Sequence, residues 1–327
     1  MYEKLLIREE NFITEMKETA EPYLESHFQE FTLQREKHHP IHCVMYSLPD
    51  AKGVIVISHG YTETALKYRE MAYYFLRMNY AVYIPEHCGH GKSYRLTDDP
   101  YKVHVDTYHR YVDDLLAVSH SAKAYHPMIP LFLYAHSMGG GIGAAAAARE
   151  PDLYEKVILN APMIRFQAGR MPWFSVRLFG TVCCAAGKGE EFAPGQHPYS
   201  GREHFEHSAA VSRPRFDYYQ EIRQKNPLAQ MNGATCGWIH SCARMDTQLQ
   251  RHLWKKIRCP VLLFQAENDA FVVNKQQELF VRKLRKRNID VRLIHVPDTR
   301  HEIFSSHDDT MEFYLQKIFA FLASPSS

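Results

Sequence analysis

Apolar runs and helical patterns alternate along most of this chain. Short stretches of consecutive apolar residues are typical of strands buried on both faces, and most are followed by a segment with apolar residues three or four positions apart, as in an amphipathic helix. This alternation predicts the α/β class, with a mostly parallel sheet covered by helices on both faces. The predicted strands are 42–47, 54–58, 80–84, 130–134, 156–160, 260–265 and 291–296, and the predicted helices are 65–78, 105–125, 139–150, 273–287 and 308–322.

Residues 163–249 break this alternation. The segment is rich in glycine, proline, histidine, arginine and aromatic residues, and it has no repeat of strand and helix. We predict that it is an inserted, mainly helical cap, and that residues 1–162 and 250–327 form the core. The insertion follows a core strand, and loops at the carboxyl ends of such strands are where open α/β sheets bind ligands.

Residues 1–40 are predicted to be an N-terminal extension of the core. Within them, residues 2–24 have a helical pattern with Pro22 near its end. We expect this helix to pack outside the core.

Composition excludes several classes of function. A net charge of +2 over 327 residues is too small for a nucleic-acid partner, and the basic run at 282–287 fits the solvated face of a late helix. The N-terminus lacks the pattern of a signal peptide, and no apolar stretch approaches the ~20 residues that span a bilayer, so we expect membrane contact only at the periphery, on the inner face.

The cysteine and histidine patterns bear on redox environment and on metals. Seven cysteines, with a vicinal pair at Cys183 and Cys184 and no C-x-x-C, fit a reducing cytoplasm better than a disulfide framework. Twenty histidines include no H-E-x-x-H motif. We therefore expect no metal and no other cofactor.

The strongest chemical signal is Ser137. An apolar strand ends at this serine, and a glycine- and alanine-rich helix follows it. The residues two before and two after, Ala135 and Gly139, are small, as a tight turn from strand to helix requires. This pattern predicts a nucleophile elbow, with alanine where glycine is usual. Alone, it is equally compatible with a serine that only caps a closely packed helix.

A serine nucleophile needs a histidine base and an acid that orients it, and in this fold they follow in the order serine, acid, histidine. The loop after the strand at 260–265 offers Asp269, with Glu267 as the alternative acid. The loop after the last strand offers His301. His295 lies within that strand and His307 at a helix start, so both are weaker choices for the base.

Two backbone amides are predicted to stabilise an oxyanion. The amide of Met138 directly follows the serine at the start of the helix. The strand at 54–58 ends before Gly60, which allows a turn that directs the amide of Tyr61 toward Ser137.

These motifs resemble those of the α/β-hydrolases of the monoacylglycerol lipase and bacterial lysophospholipase group, a sequence group often labelled serine aminopeptidase. The cap segment 226–238 is similar to the lysophospholipase branch. The chain departs from the usual pattern at Ala135 and at Glu86 and Cys88, where aspartate and arginine are common. The resemblance rests on His59-Gly60-Tyr61-Thr62-Glu63, Gly89-His90-Gly91-Lys92-Ser93, His136-Ser137-Met138-Gly139-Gly140, Asp269-Ala270-Phe271-Val272 and Arg300-His301-Glu302.

The resemblance implies a serine esterase that needs no cofactor. In it Ser137 attacks the ester carbonyl, His301 transfers the proton and Asp269 orients the imidazole, while the Tyr61 and Met138 amides hold the oxyanion. The implied substrate is a small lipid ester, either a lysophospholipid or a monoacylglycerol.

Two other hypotheses remain open at the sequence level. An aminopeptidase or amidase could use the same three residues, with Glu203, Glu206 or Glu221 as an anchor for a substrate amine. A ligand-binding protein of the same fold could carry them without catalysis. No sequence feature fixes an oligomeric state.

Overall fold

One large sheet organises the molecule in the computed structural model, which describes residues 5–201 and 203–325. Its eight strands lie in the order β1-β2-β4-β3-β6-β7-β9-β10. From β4 to β10 all neighbours are parallel, while β1 and β2 pair antiparallel with each other and β2 pairs antiparallel with β4. The strands are β1 (Phe28–Glu36), β2 (His39–Tyr46), β3 (Val54–Ser58), β4 (Ala81–Pro85), β6 (Leu131–His136), β7 (Lys156–Asn160), β9 (Val261–Ala266) and β10 (Val291–Val296).

Helices cover both faces of the sheet, as the sequence pattern predicts. Along β3, Val54 and Val56 belong to the apolar core on one face, and Ile55 and Ile57 belong to the core on the other. The helices of the core are α3 (Arg69–Arg77), α4 (Tyr108–Tyr125), α5 (Ser137–Arg149), α9 (Asn274–Arg285) and α10 (Asp308–Ala323).

The sequence pattern missed β1. This strand lies at the edge of the sheet, and its side chains alternate between half-buried and exposed positions. Its apolar residues are separated by charged and polar ones, so no continuous apolar run marks it. It forms a hairpin with β2, and His38 in the turn has a positive φ of 65°.

The prediction that the N-terminal helix packs outside the core is wrong. Helical residues run from α1 (Phe12–Glu15) through a π-helical segment (Met16–Ala20) to α2 (Glu21–Glu25), and residues 1–4 lie outside the described part. Phe12, Met16, Ala20 and Leu24 are buried, and they join the core on one face of the sheet. Their spacing of four residues forms one apolar stripe, so this segment has the packing of a core helix.

Segment 163–249 is mainly helical. It contains α6 (Trp173–Ala185), α7 (Arg213–Lys225) and α8 (Cys236–Arg251). A short strand, β8 (Gly233–Ala234), pairs in parallel with β5 (Lys102–Val103), which lies outside the segment. The segment begins directly after β7, at the sheet edge where β6 and β9 also end.

Candidate active site

Ser137 lies where β6 ends and α5 begins. Its φ is 54°, in the left-handed region that residues with side chains rarely adopt. Gly139 makes the turn possible, because a Cβ there would lie 2.2 Å from the carbonyl oxygen of Ser58. The serine thus has the strained backbone of a nucleophile elbow.

Three side chains from three loops meet in a hydrogen-bonded line. The hydroxyl of Ser137 lies 2.7 Å from Nε2 of His301, and Nδ1 of that histidine lies 2.7 Å from Oδ2 of Asp269. A carboxylate only accepts hydrogen bonds, so Nδ1 donates to it and Nε2 is left to accept the serine proton. This is the order of contacts that general-base activation of a serine requires.

Asp269 is ionised in this setting. Burial alone raises the pKa of its carboxyl, but the contact with His301 and two backbone amides outweigh burial and lower the pKa below its ordinary value. The amides of Phe271 and Val272 donate to Oδ1 at 2.8 and 3.0 Å. The acid is therefore fixed as an anion with its free oxygen toward the histidine.

The alternative acid, Glu267, has a different partner. Its Oε2 accepts a hydrogen bond of 2.8 Å from the amide of Asp298. The two carboxylates share a loop, but only Asp269 has a hydrogen bond to His301 among the described contacts. The weaker histidine choices also lie apart, since His295 is exposed on β10 and His307 contacts Glu9.

The loop after β3 is held by buried charges. The amide of Gly60 donates to Oε2 of Glu63 at 2.6 Å, so it is already used, and the next amide in the chain is that of Tyr61. Lys67 lies 3.3 Å from Glu63 and also pairs with Glu302, the residue after His301. A buried chain of ionic contacts thus connects the Tyr61 loop to the His301 loop.

The electrostatics of that chain favour charged carboxylate and amine. Burial raises the pKa of Glu63, but Lys67 and a hydrogen bond from Tyr68 outweigh burial and lower it below its usual value. For Lys67 the two carboxylates likewise outweigh burial and raise the pKa. Burial lowers the pKa of His136 to about 3, so this ring beside His301 is neutral.

Aromatic residues cover the site. Trp238 on α8 donates from Nε1 to the sulfur of Met138 at 3.4 Å, and its ring lies 4.9 Å from that of Tyr61. Phe271, which is half exposed, lies 5.0 Å from the ring of His301. Beneath this cover Ser137 is only 7% exposed.

The departures from the family pattern have local compensations. The methyl group of Ala135 faces Gly143 on α5. A Cβ at Gly143 would lie 2.9 Å from this methyl group, so the glycine leaves room for the alanine. The carboxylate of Glu86 accepts the Lys92 amide at 2.7 Å and fills the space beside Gly91. Cys88 is fully buried in the core.

Residues 5–201 and 203–325 contain neither a metal-binding cluster nor a membrane-spanning helix. In that part of the chain no three histidine, cysteine or acidic side chains are grouped as a metal ion would need. No helix there combines the length and the apolar character needed to span a bilayer.

The sheet and the serine turn together define the class of protein. A parallel sheet with a strained serine between a central strand and its helix, and with a carboxylate and a histidine on loops after later strands, is the arrangement of α/β-hydrolases.

Comparisons with known proteins agree with this class. Residues 49–308 match the Hydrolase_4 family model, described as "Serine aminopeptidase, S33". The probable lysophospholipase L2 of Haemophilus influenzae is 28% identical over 274 residues, which is 83% of this chain and 84% of that relative. A monoacylglycerol lipase of Mycolicibacterium smegmatis is 35% identical over 123 residues, 38% of this chain and 42% of that relative. A solved thermostable carboxyl esterase of Bacillus coagulans, in complex with glycerol, superposes with a TM-score of 0.74 at 18% identity, covering 90% of this chain and 97% of that chain.

The chain belongs to the Hydrolase_4 family. It is an α/β-hydrolase enzyme of the lysophospholipase and monoacylglycerol lipase group, and the predicted fold class is confirmed.

Four residues at the site were not assigned a role from the sequence. Lys67 and Glu302 act as one ionic contact across two distant loops, which no local pattern reveals. Trp238 was counted among many aromatic residues of segment 163–249, and only its contact with Met138 distinguishes it. Glu63 was noted within the loop motif, but its hydrogen bond to Gly60 gives it a specific role.

Proposed function

We propose that this enzyme is a serine hydrolase that cleaves single-chain lipid esters through an acyl-enzyme on Ser137. The observation that carries the proposal is the line of hydrogen bonds from Ser137 through His301 to Asp269, both 2.7 Å long. A serine hydroxyl is a weak nucleophile at neutral pH, and this line supplies the base and the oriented acid that it needs.

The proposed reaction has two steps. The Ser137 oxygen bonds to the ester carbonyl while its proton passes to Nε2 of His301, and the amides of Tyr61 and Met138 hold the oxyanion. His301 then gives the proton to the leaving alcohol as the ester bond breaks. Water gives a proton to the same histidine and attacks the acyl carbonyl. His301 returns that proton to the Ser137 oxygen as the acyl bond breaks and the fatty acid leaves.

Lysophospholipids are the first proposed substrate class, and monoacylglycerols are the second. Similarity to the lysophospholipase relative extends over 274 residues, whereas a monoglyceride lipase homolog of Monkeypox virus matches over 219 and the monoacylglycerol lipase of Mycolicibacterium smegmatis over 123. The longest of these matches favours the lysophospholipid. An alignment over 274 of 327 residues is long enough that it must include segment 163–249. We propose that this segment is the cap that selects the substrate.

An aminopeptidase activity is less well supported. Two of the acidic residues that could anchor a substrate amine are paired within the protein: Glu203 accepts from Arg223 at 2.8 Å, and Glu221 pairs with Lys17 and Lys225. A substrate amine would have to displace these partners. Glu206 is the remaining choice of the three.

Side-by-side rates test the proposed substrate class. We expect hydrolysis of a lysophosphatidylcholine and a monoacylglycerol, and little cleavage of a proline-terminal arylamide. Ser137→Ala should lower ester hydrolysis by several orders of magnitude, as removal of such a nucleophile does in other hydrolases, while the far-UV spectrum stays unchanged. A clear preference for the arylamide, or an active Ser137→Ala variant, contradicts the proposal.

We further propose that α6 places the site at a lipid surface. Met171, Phe174, Leu178 and Val182 recur at intervals of three or four residues, and each is at least half exposed. Such a row of exposed apolar residues is unusual on a protein surface that faces only water.

Charge complementarity identifies the surface that this row fits. Arg170 and Arg177 are exposed beside the row, and the sequence from 163 to 189 has no acidic residue. A cationic, apolar helix face suits an anionic lipid bilayer. The occupant we propose is therefore the lipid–water interface that holds the substrate.

Vesicle flotation tests this surface. We expect the wild type to float with anionic phosphatidylglycerol vesicles, and Phe174→Ser with Leu178→Ser to abolish flotation. Tyr125→Ser removes an aromatic ring of comparable exposure at the end of α4 and serves as the matched control. Equal binding of all three proteins would contradict the assigned surface.

A further inference from the structure

Helices α6 and α8 approach each other unusually closely. A Cβ added to Gly180 would lie 2.9 Å from the Cα of His240, so the two backbones are almost in contact there. The hydroxyl of Thr181, one residue on, lies 3.3 Å from a ring nitrogen of His240. The end of α6 is thereby brought against the start of α8.

Backbone hydrogen bonds connect the loop after α6 to the first turn of α8. The loop after α6 folds back, with the amide of Lys188 donating to the Cys183 carbonyl at 2.9 Å. The first residues of α8 bind this loop, since the Cys236 amide donates to Glu191 at 2.9 Å and the Gly237 amide donates to Gly189 at 2.7 Å. These bonds place Cys183 and Cys236 at the same junction between α6 and α8.

Three thiols gather at this junction. Cys183 and Cys184 lie in the last turn of α6, and Cys236 is the first residue of α8. After burial, the neighbouring thiols of Cys183 and Cys184 both contribute to the raised pKa of Cys236. A disulfide requires Cα atoms roughly 4.4–6.8 Å apart, so it can form only where two backbones approach closely, as α6 and α8 do at Gly180.

Cys183 and Cys236 differ in accessibility. Cys183 is half-buried and can meet a small oxidant, whereas Cys236 is buried. Burial, followed by the neighbouring Cys183 thiol, raises the pKa of Cys236 to about 11. Cys183 therefore suits the first attack, and Cys236 suits a second attack at short range.

We propose that Cys183 and Cys236 form a reversible disulfide that links α6 to α8 when the protein meets a low-molecular-weight disulfide such as oxidised glutathione. The Cys183 thiolate attacks one glutathione sulfur and releases one glutathione thiolate. The Cys236 thiolate then attacks the mixed disulfide at the Cys183 sulfur and releases the second. Two protein thiols are oxidised, one glutathione disulfide is reduced to two thiols, and two protons leave the protein.

The link would act on the proposed catalytic site, and this consequence rests on the proposed function. Cys236 is two residues before Trp238, whose indole covers Met138. Since Ser137 is 7% exposed, a long-chain ester reaches it only when the covering elements move. Joining α6 to α8 restricts that movement, so we expect slower turnover in the oxidised enzyme.

Thiol mapping with activity assays tests the proposal in the full-length protein. After incubation with oxidised glutathione, peptide mass spectrometry should find a disulfide between Cys183 and Cys236, and turnover of a long-chain lysophospholipid should fall about fivefold and recover with dithiothreitol. Cys183→Ser should lose both the disulfide and the response. Cys184→Ser, the adjacent cysteine of similar exposure, should keep both.

Several results would overturn the proposal. They are a disulfide between Cys183 and Cys184, no disulfide at all, or an unchanged oxidant response in Cys183→Ser. If Cys183→Ser folds poorly, Cys236→Ala provides the second variant, and it should also be insensitive to oxidised glutathione. Thiol mapping does not depend on catalysis, so an inactive reduced enzyme would contradict the proposed function and leave the disulfide test intact.

Discussion

The backbone of Ser137 is strained, and the contacts of its side chain do not compensate for this strain. A residue with a Cβ in the left-handed region is less stable there than glycine by roughly 1–2 kcal/mol. Ser137, at a φ of 54°, has this conformational cost. The hydrogen bond from its hydroxyl to His301 offsets only part of that free energy. The strain exposes the hydroxyl to the loops that follow β9 and β10.

We predict that Ser137→Gly has a higher free energy of unfolding than Ser137→Ala. Both variants lose the hydroxyl, so they differ only in the Cβ atom and in the flexibility of the unfolded chain. Glycine avoids the left-handed strain, and we expect it to be more stable by about 1 kcal/mol. Urea unfolding followed by tryptophan fluorescence measures the difference.

Ser175 supplies the control for this comparison. It is exposed on α6, in ordinary helical conformation, where glycine is less stable than alanine by about 1 kcal/mol. The order of the two variants should therefore reverse at this position. The same order at both serines would show that strain at Ser137 is not the cause.

The sequence predicts individual site residues, but it cannot choose between two residues that differ only in their three-dimensional position. The order serine, acid, histidine selected Ser137 and His301, yet Asp269 and Glu267 share one loop and one chemistry. Only the coordinates separate them, because one carboxylate faces His301 and the other faces the Asp298 amide.

At the scale of elements, α8 carries a buried acid near the site. Asp246 is almost fully buried and lies 2.8 Å from Nε of Arg165. Burial outweighs the ion pair and raises the pKa of Asp246 to about 6. An aspartate in the unfolded chain titrates near pH 4, at about 3.9.

These values give a signed pH dependence of stability. Between about pH 4 and 6 Asp246 retains a proton in the folded protein that it has lost in the unfolded chain, so its contribution to the free energy of unfolding falls as the pH rises through this window and is level above it. Asp246→Asn lacks the titration. We predict that the free energy of unfolding of the wild type minus that of the variant decreases from pH 4 to pH 6 and is constant from pH 7 to pH 8, as urea unfolding can measure. A difference that increases with pH would contradict the burial argument.

The elements that sequence patterns predicted are those buried on both faces. This holds for the strands from 54–58 to 260–265, which helices cover on each side. The strand 291–296 is the exception, because it lies at the edge of the sheet and exposes Arg292 and His295. β1 was missed because an edge strand needs only one half-buried face. The N-terminal helix was predicted, but its burial against α3 and α7 depends on tertiary contacts such as the ring of Phe12 against Tyr218.

At the scale of the whole molecule, the proposed site is assembled by the sheet. The strands β3, β6, β9 and β10 are parallel, so the loops after them meet at one edge although Tyr61 and His301 are far apart in sequence. The ionic contacts of Lys67 then tie two of these loops together. The order of strands and loops in the sequence predicts that the site lies at this edge of the sheet. The position of Trp238 over the site depends on how segment 163–249 folds, which the sequence pattern does not show.

The most direct test of the central claim is detection of the acyl-enzyme itself. Wild-type enzyme mixed with a long-chain lysophospholipid, quenched in acid within milliseconds and digested, should yield the peptide containing Ser137 with the added mass of the acyl chain. The adduct should be absent from Ser137→Ala under the same conditions. Hydrolysis by the wild type with no adduct on Ser137, or with the acyl group on another residue, would contradict the account.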